Sequence, residues 1–186
     1  MSTLYLVGQM NQLGDALETA GFAPDDVTKL RSFPQLGEIR SVLRGNAKIL
    51  TIKHIIDCDA DPHVPDGWEV EEHQKGGQFE WDPSRIALYL SDGQKNGKVI
   101  EGKKLRKELE GKPVLNANVL DYLFAHPELI PEEWKEKAVF FWGTVYRYSD
   151  GGRHVRGLRW LGSQWHWYYR WLKHVWFGAD PAVLRT

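Results

Sequence analysis

The sequence predicts an α+β protein with short N-terminal helices, a central mixed region and a C-terminal antiparallel, Trp-rich β-meander packed on helices. Three observations carry this prediction. Apolar residues of the first forty-odd positions recur at spacings of three and four, the helical period. From position 138 onward the pattern alternates between glycine-marked turns, as half-buried strands do. In that same stretch, thirteen of the forty residues from Ala138 to Phe177 are aromatic and six are tryptophan, side chains that favour a pleated surface.

Taken in order, Leu6, Met10, Leu13 and Leu17 define a first helix that Gly21 stops. Pro24 with Asp25 and Asp26 supplies the first turn of a second through Val27 and Leu30, and Pro34 precedes a third carrying Leu36, Ile39, Val42 and Leu43. Gly45 and Asn46 close this part, which sets a boundary between a helical segment 1–46 and an α+β segment 47–186, or one domain throughout. Ile49 to Ile56 reads as a buried strand. Trp68 to Glu72 and Gln78 to Trp81 read as a hairpin around Gly76 and Gly77, and Ile86 to Leu90 as a further buried strand. Helices follow at Lys103 to Glu110 and at Asn118 to Ala125, the latter with the stripe Val119, Leu120, Leu123 and Phe124. Pro131-Glu132-Glu133-Trp134 begins one more short helix.

The meander comprises Val139 to Tyr148, His154 to Trp160 and Trp165 to Leu172, joined by Asp150-Gly151-Gly152 and by Gly162-Ser163. These loops place Trp142, Thr144, Tyr146 and Tyr148 on one face with His154, Arg156, Leu158, Trp160, Trp165, Trp167, Tyr169 and Trp171. Phe141, Val145, Arg147, Val155, Arg159, His166, Tyr168 and Arg170 take the other. A one-residue slip in the first loop sends Trp142 across.

The formal net charge of −1 hides an asymmetry: residues from Ala138 onward sum to +5, while Asp57 to Asp82 hold nine acids against Lys75. A basic aromatic end and an acidic middle attract external partners or each other. Composition is ordinary for a globular chain, and the single Cys58 forms no internal disulfide. With no export signal and no apolar run approaching the roughly 20 residues of a membrane helix, the cytoplasm is the expected compartment and no membrane partner is expected.

Two constellations suggest function. Arg147, Arg159 and Arg170, with Tyr168 and His166 between them, combine cations with flat rings as single-stranded nucleic acid requires. The aromatics equally suit the apolar faces of sugar rings. Asp57, Asp59, Asp61 and His63 would project to one side at steps of about 6.6 Å if the preceding strand continued through them. That row begins like a calcium loop, but Pro62 replaces its turn glycine and Trp68 stands at the position of its bidentate acid. Neighbouring acids raise rather than lower the Cys58 thiol pKa, which disfavours a nucleophilic role.

The runs KPVLNANVLDYLFAHPELIPEEWKEKAVFFWGTVYR, VRGLRWLGSQWHWYYRWL and IDCDADPHVPDGWEVEEHQKGGQFEWDP resemble a family of small uncharacterised proteins predicted in genomes of uncultured bacteria. The resemblance implies one folded bacterial unit and transfers no site. The leading expectation is therefore a non-catalytic protein that binds an anionic polymer such as single-stranded nucleic acid, with no cofactor. The alternatives are a metal-dependent hydrolase using a divalent cation at the Asp57, Asp59 and Asp61 row, and a protein-interaction module presenting an exposed Trp face.

Overall fold

The computed structural model describes residues 5–50 and 52–186, and the chain divides into two compact units, Met1–Ile52 and Lys53–Thr186. The first contains three helices: α1 (Val7–Thr19), α2 (Pro24–Arg31) and α3 (Leu36–Leu43). Gln9 and Asp26 reach back three residues to accept the N–H of Leu6 and of Ala23, fixing the first turns of α1 and α2. Gly21 and Gly45 adopt φ of +84° and +74°, and Phe22 and Asn46 then donate to the Leu17 and Ser41 carbonyls. That is the glycine-terminated helix end expected from the sequence. None of the three helices has a buried residue.

The second unit runs β1 (Ile55–Asp57), β2 (Trp68–His73), β3 (Gln78–Glu80), β4 (Ile86–Tyr89), β5 (Ile100–Glu101), α4 (Gly102–Leu109), α5 (Ala117–Ala125), β6 (Ala138–Phe140), β7 (Thr144–Tyr148), β8 (Arg153–Leu161), β9 (Gln164–Trp171), β10 (Val175–Trp176) and β11 (Ala182–Arg185). Seven strands form one curled mixed sheet in the order β2-β7-β8-β6-β11-β4, with β9 also on β8. The nine-residue β8 organises it. Its first residues pair with β7, its later ones with β6, and nearly its whole length with β9. The register His154↔Trp171, Arg156↔Tyr169, Leu158↔Trp167 and Trp160↔Trp165 is the one the alternation predicts. Gly151 and Gly162, at φ +80° and +63°, make the two turns.

Three expectations are corrected. The first meander strand is two strands, interrupted at Phe141-Trp142-Gly143 because Gly143 lies so close to Asn116 that a Cβ there would come 2.9 Å from the Asn116 Cα. Phe141 therefore joins Leu158 in one core while Trp142 joins Val155 in the other, the reverse of the allocation from alternation. Trp68–His73 and Gln78–Glu80 do not form a hairpin: β2 pairs with β7, and β3 pairs with β1. Of the expected strand 49–56 only Ile55 and Ile56 lie in a sheet, within β1; Ile49, Leu50 and Ile52 are exposed, and Thr51 lies outside the described residues.

Each face of the sheet carries a core. Val119, Leu120 and Leu123 of α5 pack with Trp134, Val139, Phe141, Leu158 and Val183, and Leu105 and Leu109 of α4 pack with Phe140, Trp142, Val155 and Trp176. At about 2 kcal/mol for each buried side chain of this size, these clusters outweigh any surface pairing. Among the described residues no helix is long and apolar enough to cross a membrane.

Candidate ligand-binding surface

The two arginines at the ends of the predicted row have partners inside the molecule. Arg147 lies directly opposite Arg153 in the β7–β8 pair, a like-charge juxtaposition that is unfavourable unless an anion intervenes. Glu71 of β2 supplies it: its carboxylate lies 2.7 Å from Arg153 Nε and 3.3 Å from Arg147 Nε, and Glu69 lies 2.9 Å from Arg147. The hydrogen bond from Arg153 holds the Glu71 carboxyl below its ordinary pKa, against the opposing effect of burial, with the charges of Arg106 and Arg147 adding to the lowering. Arg170 donates to Asp180 at 3.1 Å and to the Val175 carbonyl at 2.6 Å, and lies over the rings of Trp176 and Phe177. Burial pushes the Asp180 carboxyl up, although the Phe177 N–H and Arg170 act the other way.

Arg159 is placed differently. It is exposed, its guanidinium carbon is 4.6 Å from the centre of the Tyr168 ring, and no carboxylate among the described residues lies within 4.0 Å of it. His166 stands opposite it in the β8–β9 register. Tyr168 is largely enclosed, packed edge-on against Phe140, and burial raises its hydroxyl pKa. Of the five residues singled out from sequence, Arg159 and His166 remain side by side at the surface.

The carboxylate row does not project to one side, which corrects the extended geometry expected for it. β1 ends at Asp57, and the chain then turns because Asp57 accepts the Asp59 N–H while Asp59 accepts the Gly77 N–H, both at 2.9 Å. Asp61 is exposed, and His63 contributes its backbone carbonyl to the Tyr146 hydroxyl at 3.2 Å. Among the described residues no three His, Cys, Asp or Glu side chains are grouped to hold a metal ion. Burial, followed by Asp57 and Asp59, pushes the Cys58 thiol up to about 11. It is a protonated, inert side chain at neutral pH.

The most developed surface is on the aromatic face, around a residue that sequence reasoning assigned to the wrong hairpin. Trp68 of β2 stacks on Tyr169 at 4.0 Å with 13° between the ring planes, and Tyr148 and His154 lie 4.9 and 4.8 Å away. From there the rings continue through Trp167, 5.6 Å from Tyr169, and through Trp171, stacked 6.1 Å from His154. Tyr148 and Trp167 are 41% and 37% exposed, and Trp68, His154, Tyr169 and Trp171 are half-buried. Burial holds the His154 imidazole below its usual pKa despite the hydrogen bond to the Gly152 carbonyl, which favours its neutral form beside these rings.

Beneath the patch lies Arg156, which is 1% exposed. Its two terminal nitrogens donate to both oxygens of Asp121 on α5, at 2.9 and 2.6 Å, and its guanidinium sits 4.8 Å from the centre of the Trp167 ring. The bidentate pair fixes α5 and the Trp167 ring relative to β8. The sequence signal for it was present: an arginine at an inward position of an otherwise aromatic and apolar face needs a carboxylate opposite.

Comparison with protein-family models, with curated proteins and with solved structures finds no match to this chain.

Proposed function

We infer that this chain is a non-catalytic binding protein whose ligand is a neutral polysaccharide lying on the patch of Trp68, Tyr148, Trp167 and Trp171. The observation that carries the reading is the continuous set of partly exposed rings centred on the Trp68–Tyr169 stack, with the nearby cations Arg147, Arg153 and Arg156 each already facing a carboxylate. A sugar ring presents an apolar C–H face to such a surface and hydroxyls to its rim, where His154, Asp150 and Glu69 offer hydrogen-bonding groups. A phosphate polymer would have to displace these ion pairs, and Lys173, 4.8 Å from the centre of the Trp171 ring and without a carboxylate within 4.0 Å among the described residues, is a single cation at the patch's edge. The test is retention on gels containing a soluble β-glucan, a xylan or a mannan, with Trp68→Ala and Trp167→Ala each expected to weaken retention about tenfold. Equal mobility of the parent protein on gels with and without all three glycans removes the reading.

A second reading rests on Arg159, which is stacked on Tyr168 beside His166 without a carboxylate partner. These groups suit one or two phosphates of a single-stranded nucleic acid. Oligonucleotide binding that weakens with salt and in Arg159→Ala, but not in Trp68→Ala, would favour it over the first.

A further inference from the structure

We propose that the helical unit Met1–Ile52 is a self-association module, in which α1 of one copy of the chain lies along the hollow at the α2–α3 junction of a second copy, and the reverse. This holds whatever ligand occupies the Trp68 patch.

The sequence builds these helices without a core of their own. Met10, Leu13 and Leu17 recur at the spacings that put side chains on one face of α1, with Leu6 just before it. Leu30, Phe33 and Ile39, with Asp26 and Lys29, line a hollow of about 270 Å³ where α2 runs into α3. Both clusters of buried apolar side chains lie in Lys53–Thr186, and none of the three helices contributes to them. A segment of this length whose helices bury no side chain has little to set against the entropy lost when its backbone is ordered, so these apolar faces call for a covering surface.

The area is that of a dimer interface. Leu6, Met10, Leu13, Phe33, Leu36 and Ile39 are 37–74% exposed. Half-exposed side chains of this size leave on the order of 80 Å² each, about 500 Å² for the six. A standard interface takes roughly 800 Å² from each partner, and in homodimers about two-thirds of it is apolar, which is the same amount.

Charge selects a second copy as the occupant. Positions 7–26 carry four acids and no base, whereas positions 29–48 carry five bases and one acid, so a unit with no net side-chain charge is divided into halves of −4 and +4. Asp15 and Glu18 of the acidic half and Arg40 and Arg44 of the basic half have no oppositely charged side chain within 4.0 Å among the described residues. A twofold axis sets the acidic half of each copy against the basic half of the other, which matches both sets in one closed contact. A uniformly acidic or basic partner would be repelled by one half. An anionic lipid surface fits poorly too, because α1 has no lysine or arginine where membrane-surface helices carry a cationic polar face.

Sedimentation equilibrium of the full chain between about 1 and 100 μM tests this, with a species of twice the 21.5 kDa chain mass expected. Leu13→Asp, at an exposed position, should weaken the dimer about tenfold or more. Two charge-reversed chains, one with Asp15→Arg and Glu18→Arg and the other with Arg40→Glu and Arg44→Glu, should each be largely monomeric alone. Mixed in equal amounts they should regain the dimer, because both α1 contacts of the mixed pair again join opposite charges; a variant that had merely failed to fold would not recover on mixing. A monomer at every concentration, a dimer indifferent to Leu13→Asp, or charge-reversed chains that do not pair with each other would overturn the proposal. So would flotation of a monomeric chain with vesicles of phosphatidylcholine and phosphatidylserine, which would give the apolar stripe to lipid.

Discussion

Replacing Asp121 by Asn removes one charge from a pair whose other member cannot reach water. Arg156 is 1% exposed, while the Asp121 side chain is 33% exposed. Removing one partner of a buried ion pair costs about 3–5 kcal/mol, and the access of solvent to position 121 places Asp121→Asn near the lower end, about 3 kcal/mol. For a unit of this size that corresponds to a fall in Tm of roughly 10 °C. Urea unfolding followed by tryptophan fluorescence is the appropriate assay, because all nine tryptophans lie in Lys53–Thr186 and none in Met1–Ile52. The transition therefore reports the unit that contains the pair. Replacing both partners, Arg156→Met with Asp121→Leu, should recover most of the loss, since an apolar pair of similar volume avoids burying charge. A loss below about 1 kcal/mol for Asp121→Asn, or a double variant no more stable than the single one, would refute the account of Arg156 as a buried charge dependent on α5.

Gly143→Ala should destabilise the same unit by about 2 kcal/mol, because the added methyl meets the Cα and Cβ of Asn116 at 2.9 Å and neither can yield as a flexible side chain would; chemical denaturation measures it. His154 has a folded-state pKa depressed below its ordinary 6.5, so its contribution to stability is whole above that pH and is lost as pH falls through the folded value. Unfolding free energies at pH 7.5 and 5.5 should accordingly fall more steeply for the parent than for His154→Gln, and equal slopes would contradict the assignment. Arg147→Ala should change stability by less than about 1 kcal/mol, because its pair with Glu69 is exposed and screened, Glu71 keeps Arg153 and Arg106, and the like-charge contact with Arg153 is relieved; its Tm should remain within a few degrees of the parent.

Strong local signals made the β8–β9 hairpin legible: the alternation is unbroken and the two-residue turn at Gly162 fixes the register. The same alternation misplaced Trp142, because the strand breaks where Gly143 meets Asn116, a contact between residues 27 positions apart that no local pattern encodes. Gly76 and Gly77 suggested a hairpin between Trp68 to Glu72 and Gln78 to Trp81. β2 instead lies beside β7, where Trp68 stacks on Tyr169 and Arg153 donates a hydrogen bond to Glu71, both long-range contacts. Charge asymmetry left open whether the acidic middle and basic end attract external partners or each other; Glu69 and Glu71 pair with Arg147 and Arg153, while Arg156 and Arg170 take Asp121 and Asp180. Which arginines the acids of β2 would occupy depended on β2 lying beside β7, and Arg170 pairs with Asp180 of the basic end itself, so these partners and the solitary position of Arg159 emerged only in three dimensions. The carboxylates of Asp57 and Asp59 accept backbone N–H groups, a turn-forming use that short acidic residues share with ligand-binding ones.

Whether a glycan lies on the Trp68 patch is decided by a fluorescence titration with the soluble β-glucan, xylan and mannan. A saturable change in tryptophan emission is expected with one of these glycans, reduced about tenfold in affinity by Trp167→Ala and insensitive to salt because a neutral ligand forms no ion pair. Saturable binding that is unaffected by both Trp68→Ala and Trp167→Ala, or no change in emission with any of the three, would contradict it.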